Sequence, residues 1–224
     1  MKKLLLIAVL IAACLSATAY VACVAAPLLG KNIKGSGKIV AKTVPAPDFD
    51  GIEASRAVKV VISDKVSDIR IEADDNLIDL VVVRAVKGKL EATLDQKVNN
   101  IQNGNVTITV PANGKIRSLD ASSASKVEAS IEAESCSLDA SSASKIILEG
   151  SAGTFRADMS SASKLNAEKF SAVNATIDTS SAASASIDCS GKLTASASSG
   201  SSVRYSGDCQ TSLEKSSGGS IHKL

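Results

Sequence analysis

A nine-residue motif, LDASSASKV at residues 119–127, returns as LDASSASKI at 138–146 and more loosely as ADMSSASKL at 157–165. It fades through IDTSSAASA (177–185), ASASSGSSV (195–203) and LEKSSGGSI (213–221). The paired serines begin at Ser122, Ser141, Ser160, Ser180, Ser198 and Ser216, in steps of 19, 19, 20, 18 and 18 residues. A nearly fixed step marks a stacked repeat, in which one unit cannot bury its apolar face alone. A step of about 19 is too short for the paired-helix repeats, which need ~33 residues or more, and the L-x-x-L-x-L-x-x-N pattern of leucine-rich repeats is missing. Serine hydroxyls compete with helical backbone bonds. Apolar and polar positions alternate around the motif, so each unit reads as two short strands meeting at a small-residue corner. At ~3.3 Å per residue one unit traces roughly 60 Å, about one circuit of a narrow solenoid. The expected fold is all-β, a right-handed parallel β-helix with ~19-residue coils.

Stacking at ~4.8 Å would set equivalent residues in columns. Leu119, Leu138, Ala157, Ile177, Ala195 and Leu213 form one interior column, and Val127, Ile146, Leu165, Ala185, Val203 and Ile221 another. Ala124, Ala143, Ala162 and Ala182 read as a small inward position beside serine ladders at the corner. IEASRAVKV at 52–60 aligns with LDASSASKV, Ile52 with Leu119 and Val60 with Val127, so the repeat begins before its obvious copies. Between them DIRIEA (68–73), LIDLVVVRAV (77–86), KLEATL (89–94) and NVTITV (105–110) read as strands. Asp74-Asp75-Asn76, Gly88 and the segment from Asn99 to Asn105 read as turns. Longer strands at one end suit a cap, because a terminal repeat must close an exposed sheet edge.

The N-terminus begins Met1-Lys2-Lys3, runs apolar from Leu4 to Ala13 and reaches Ala17-Thr18-Ala19. This is the pattern of a secretory signal peptide at 1–19, too short for a spanning helix of ~20 residues. Ile11-Ala12-Ala13-Cys14 also resembles a lipoprotein box, with lipidation at Cys14. Cleavage near Ala19 is favoured over that route and over a site nearer Cys23 or Ala26. The expected organisation is a lead-in at 20–48, one β-helical domain at 49–221 and a tail at 222–224. Within the domain, 49–118 is the strand-rich N-terminal part and 119–221 holds the regular repeats. Localisation follows: periplasm, outer membrane or cell surface, or secreted. Removing Lys2 and Lys3 takes the formal charge from +2 to zero. No basic stripe remains, which argues against nucleic acid as a partner. Cys136, Cys189 and Cys209 are an odd, scattered set. Cys189 and Cys209 sit one turn apart but offset from their serine pairs, and buried free thiols are favoured over a bond between them.

Chemistry is sparse. His222 is the single histidine, near the C-terminus, which excludes a Ser-His-Asp triad despite the many serines. The cysteines lack histidine partners and C-x-x-C spacing, against a zinc site, and no phosphate-cradling glycine loop appears. No catalytic, cofactor or metal residue is assigned. One arrangement stands out: Asp120, Asp139, Asp158 and Asp178, with Glu53 and Glu214 at equivalent positions, form an acidic column. Like charges at that spacing repel, and Lys126, Lys145 and Lys164, recurring six residues later, are the expected compensation. The alternatives are a Ca²⁺ ladder or a glycan-reading surface. Phe155 and Phe170 are expected at turns, and with three Phe, two Tyr and no Trp in the chain the aromatic platforms usual in glycan grooves are scarce.

A signal peptide, Gly35-Ser36-Gly37, the F-D-x-I-x-A-S stretch from Phe49 to Ser55, a strand-rich first half, serial small-residue corners and a late Val203-x-Tyr205-x-Gly207 together resemble the putative auto-transporter adhesin, head GIN domain family, over roughly residues 35–221. The resemblance implies a secreted or surface-attached β-helical protein of Bacteroidetes-like bacteria, with no established enzymatic activity and no functional residues to carry over. The chain departs from the family's Gly-Ser-Gly corners, using Ser-Ser-Ala-Ser where glycine would take positive φ more readily. The function expected is an exported, non-catalytic adhesion, binding or envelope-scaffold module, its partner an extracellular glycan or protein and its copies meeting end to end or by an edge. The competing readings are a carbohydrate-active enzyme or glycan-binding protein, and a flat Ser/Thr lattice binder of the ice-binding sort, for which threonine is too sparse at the corners.

Overall fold

The structure, a computed structural model, describes residues 30–224, so the expected signal peptide with Cys14 and Cys23 lies outside the described residues. The described chain is nearly all strand. Its first half holds β1 (Lys31–Lys34), β2 (Ile39–Val44), β3 (Gly51–Ala54), β4 (Lys59–Ser63), β5 (Ile69–Asp74), β6 (Val81–Val86), β7 (Lys89–Leu94), β8 (Val98–Gln102) and β9 (Val106–Pro111). A short 3₁₀ turn, Ile78–Leu80, leads into β6. The second half holds β10 (Ser118–Ala121), β11 (Lys126–Ala140), β12 (Lys145–Met159), β13 (Lys164–Thr179), β14 (Ser184–Ala197), β15 (Ser202–Ser206), β16 (Gln210–Lys215) and β17 (Ser220–Lys223). Together they wind a β-solenoid of about 6 turns with ~19-residue coils.

Each middle coil is one tight turn and one long curving strand. In β11, buried Val127, Ala129 and Ile131 alternate with outward residues. Exposed Glu134 and Ser135 then break the phase at the bend, and alternation resumes with Cys136, Leu138 and Ala140 inside. Parallel pairing sets Leu119 on Leu138, Leu138 on Ala157, Ala157 on Ile177, Ile177 on Ala195 and Ala195 on Leu213. Val127, Ile146, Leu165, Ala185, Val203 and Ile221 stack likewise. Both expected columns are present. The aromatic pair is not at turns: Phe155 and Phe170 are fully buried with ring centroids 5.2 Å apart. Phe155 lies between Cys136 and Ala175 and Phe170 lies beside Gly150. Small neighbours leave the room that two rings fill.

The corners explain how serine and alanine replace glycine. Ser125 N–H donates to the Ser122 carbonyl at 3.1 Å, with Ser123 and Ala124 between them at φ 51° and 60°. Two consecutive left-handed residues make a type I′ turn. The same turn recurs at residues 141–144, 160–163 and 180–183, and in the last two corners Gly200 and Gly218 take the second left-handed place. Each non-glycine residue in that region costs ~1–2 kcal/mol. The ladder offsets it, because Ala124 N–H donates to Ser142 O, Ala143 to Ser161 O and Ala162 to Ser181 O, all at 2.9 Å. Coil-to-coil hydrogen bonding thus runs through the corner. The alanines at these turns point outward and are exposed, contrary to the small inward position expected of them. The inward residue is the fourth of the turn, Ser125, Ser144, Ser163, Ala183 or Ser201. Ser125 Oγ donates to Ala54 O and Ser163 Oγ to Ala140 O, each at 3.0 Å.

At the cap, order in space departs from order in the chain. β3 pairs in parallel with both β10 and β7, and β4 with both β11 and β9. The coil made by β7 and β9 is therefore read later than the β3–β4 coil but stacked outside it. Antiparallel strands close the end, β6 on β7, β5 on β9 and β2 on β5. The turn expected from Asn99 to Asn105 narrows to residues 103–105, because β8 pairs with β1 instead. At the other end β16 pairs only with β14 and β17 only with β15, leaving one open edge.

Candidate binding groove

The outward acidic residues line up as pattern demands of strands in register. Glu91 pairs with Glu53, Glu53 with Asp120, Asp120 with Asp139, Asp139 with Asp158, Asp158 with Asp178, Asp178 with Ser196 and Ser196 with Glu214. Where this face bends into the type I′ turns, an open groove of about 650 Å³ runs along the solenoid. Its walls are the acidic row from Glu53 to Asp178 and the half-buried first serines of the turns, Ser122, Ser141, Ser160, Ser180 and Ser198. From Glu53 to Ser196 the row spans five coil steps, roughly 24 Å. Among the described residues, no aromatic ring lines it.

The expected compensation is elsewhere. Lys126 and Lys59 both bind Glu128, at 2.6 and 2.9 Å, on the far side of the turn. Lys145 and Lys164, stacked on them, carry no ion pair among the described residues. The aspartates are met from the column two residues earlier in each coil, which runs Lys89, Gly51, Ser118, Ser137, Arg156. Lys89 lies across Gly51, where a side chain would crowd it at 3.1 Å, and reaches Asp120. That bond is the main reason its ammonium is raised above the usual lysine range. Arg156 grips Asp158 with both nitrogens, at 2.9 and 3.0 Å, and reaches Asp178 at 3.4 Å. Asp139 is left between the two cations with no ion pair among the described residues. Partial burial, and then the carboxylates of Asp120 and Asp158, raise its carboxyl above the usual aspartate range. Arginine two residues before an aspartate on one strand is a same-face pair, and Arg156-x-Asp158 was the sequence signal for this arrangement.

Among the described residues, no three His, Cys, Asp or Glu side chains converge on one point; the aspartates stand in file. His222 sits exposed in β17 beside Arg204, far along the stack from the aspartates. Cys136 and Cys189 are buried and Cys209 half-buried, all three as free thiols. The groove therefore offers a file of carboxylate and hydroxyl acceptors at one-coil spacing, with two fixed cations beside it.

A family profile described as "Putative auto-transporter adhesin, head GIN domain" matches residues 48–209. Among solved structures, a putative adhesin from Bacteroides fragilis superposes with a TM-score of 0.63 at 18% identity, over 85% of this chain and 99% of that one. A putative adhesin from Parabacteroides merdae gives 0.52 at 15% identity, over 87% and 100%. One from Parabacteroides distasonis gives 0.50 at 15%, over 87% and 100%. At these identities the likeness is one of fold. No curated protein matches the chain significantly.

Proposed function

Because this chain belongs to the putative auto-transporter adhesin, head GIN domain family, we propose that it is an exported, non-catalytic binding module whose acidic groove faces an extended extracellular ligand. An adhesin family suggests an extracellular or cell-surface protein, and the signal-like N-terminus supports export, with Cys14 a candidate lipid anchor. The observation that carries the reading is the groove: one Asp and one Ser in each coil from Asp120 to Ser180, repeated at ~4.8 Å along the wall. Such a surface suits a ligand with its own linear repeat, a glycan or an extended polypeptide, whose hydroxyl, ammonium or guanidinium donors can meet carboxylates in file. Asp139, without an ion pair among the described residues and crowded by the carboxylates of Asp120 and Asp158, gains from such a donor.

One observation favours a carbohydrate-active reading. Neighbouring carboxylates one coil apart approach the ~5–5.5 Å separation of retaining glycosidases, and a raised carboxyl such as Asp139 is the form a general acid takes. Against it, Asp120, Asp158 and Asp178 are each held by a cation and no aromatic ring seats a sugar. Glycan arrays read with and without calcium, beside a turnover screen on polysaccharides, separate the two. Binding without turnover, weakened at least about tenfold in Asp139→Ala with the fold intact, supports the module. Turnover lost in Asp139→Ala would establish an enzyme, and binding unaffected by the groove variants would move the ligand surface elsewhere.

A further inference from the structure

Cys189 and Cys209 occupy one corner of adjacent coils. β14 pairs with β15 up to Asp188 on Ser206 and with β16 from Lys192 on Gln210, in the same register. The segments 189–191 and 207–209 therefore run one over the other. They touch backbone to backbone: a Cβ on Gly207 would lie 2.2 Å from the Cys189 carbonyl oxygen. Cys189 is fully buried, and Cys209 packs half-buried against the same core. Cys189 Sγ lies within thiol hydrogen-bond range of two carbonyls, Val173 O at 3.5 Å and Lys192 O at 3.4 Å.

We propose that Cys189 and Cys209 are a dithiol pair that closes to a disulfide and staples the last coil to the one beneath it. The last coil has most to gain, since β16 and β17 are laddered on one side only and edge elements open first. The co-reactant is a disulfide, R–S–S–R, of a small thiol or of an oxidoreductase. Cys209, the accessible thiol, loses its proton to solvent and attacks one sulfur of R–S–S–R; a mixed disulfide forms and one RS⁻ leaves to take a proton. Cys189 then loses its proton and attacks the Cys209 sulfur, expelling the second RS⁻. Two protein thiols are oxidised to one disulfide, and R–S–S–R is reduced to two RSH. Burial, and after it the neighbouring Cys209 side chain, push the Cys189 thiol up to about 11, so its attack is the slow second step. Cys136 takes no part; it is buried opposite Phe155, and its thiol is likewise pushed up to about 11. In the cell the reaction needs an oxidising compartment and so rests on the export proposed above, whereas the pairing itself rests on the geometry alone.

The test uses the purified chain, prepared reduced, incubated with oxidised glutathione, alkylated and mapped by peptide mass spectrometry. The expected product is lighter by two hydrogens and yields a cross-linked peptide joining Cys189 to Cys209, with Cys136 still a thiol. Oxidation should slow proteolysis within residues 210–224 about tenfold or more. Dithiothreitol should reverse this protection, and Cys209→Ser should lack it. A stable glutathione adduct on Cys209 with no cross-link, or a cross-link to Cys136, overturns the pair. Protein taken from its own cells with both thiols reduced, while the purified chain still cross-links, counts against export and leaves the pair standing.

Discussion

Replacing Ala143 by glycine should stabilise the protein, although it removes a side chain. Ala143 sits at φ 60° in the turn of residues 141–144 and is exposed, so no buried contact is lost. Glycine relieves a left-handed penalty of ~1–2 kcal/mol. It gives back about 0.4–1 kcal/mol by loosening the unfolded chain, leaving a gain of about 0.5–1 kcal/mol. Ala124 and Ala162, at φ 60° and 61°, lie two coils apart. At roughly 10 Å they are far enough apart to act independently. The double variant Ala124→Gly with Ala162→Gly should therefore gain about 1–2 kcal/mol, a rise of a few degrees in Tm for a domain this size. Urea unfolding is the assay, with the midpoint moving and the m-value unchanged. Ala133→Gly, in β11 and outside the left-handed region, is the control and should lose about 0.5–1 kcal/mol. If Ala143→Gly lowers the midpoint alongside Ala133→Gly, the corners are not left-handed and no ladder is opposing strain there.

Other outcomes follow from the columns and the groove. Leu138→Lys puts a charge between Leu119 and Ala157 in a narrow core; it should cost several kcal/mol and abolish cooperative unfolding followed by circular dichroism. Phe155→Ala removes a fully buried ring packed at a tilt against Phe170 and should cost about 3–5 kcal/mol in urea melts. Asp139→Asn should raise stability at neutral pH by at most about 1 kcal/mol. The sign follows from the raised carboxyl: the folded state holds the Asp139 proton more tightly, so stability falls as pH rises from the ordinary aspartate value through the raised folded one. Melts of the wild type and the Asn variant across that window should converge at its acid end; a gap that widens on acidification refutes the assignment.

The regular half of the fold was readable because the period carries register with it: once Ser122 and Ser141 are known to stack, Leu119 on Leu138 and Asp120 on Asp139 follow. The cap was readable as strands but not as an order. IEASRAVKV reveals that residues 52–60 form a coil, yet nothing in a linear pattern says that Lys89–Leu94 will lie on the far side of it. The inward corner residue was misread for a related reason. Its small size points to Ala124 as internal, but the alternation that buries Leu119 and Ala121 runs in unbroken phase to Ser125 and Val127 and leaves Ala124 outside. In the groove the acidic row was legible and its neutralisation was not. Lys126, Lys145 and Lys164 recur in step with the aspartates, whereas Lys89 reaches Asp120 across a glycine in an adjoining coil, a contact without sequence periodicity.

A wall assembled from identical steps has a length that can be counted. Each coil meets only the coil above and below, so excising residues 119–137 would bring Ser118 to Leu138 in the register its neighbours already use. The shortened chain would lose one aspartate and one serine from the wall, and duplication of the same segment would add one of each. The reach of the surface is thereby uncoupled from the cap that closes one end and from the open edge at the other. Gain or loss of whole coils can fit this scaffold to longer or shorter ligands in increments of ~4.8 Å.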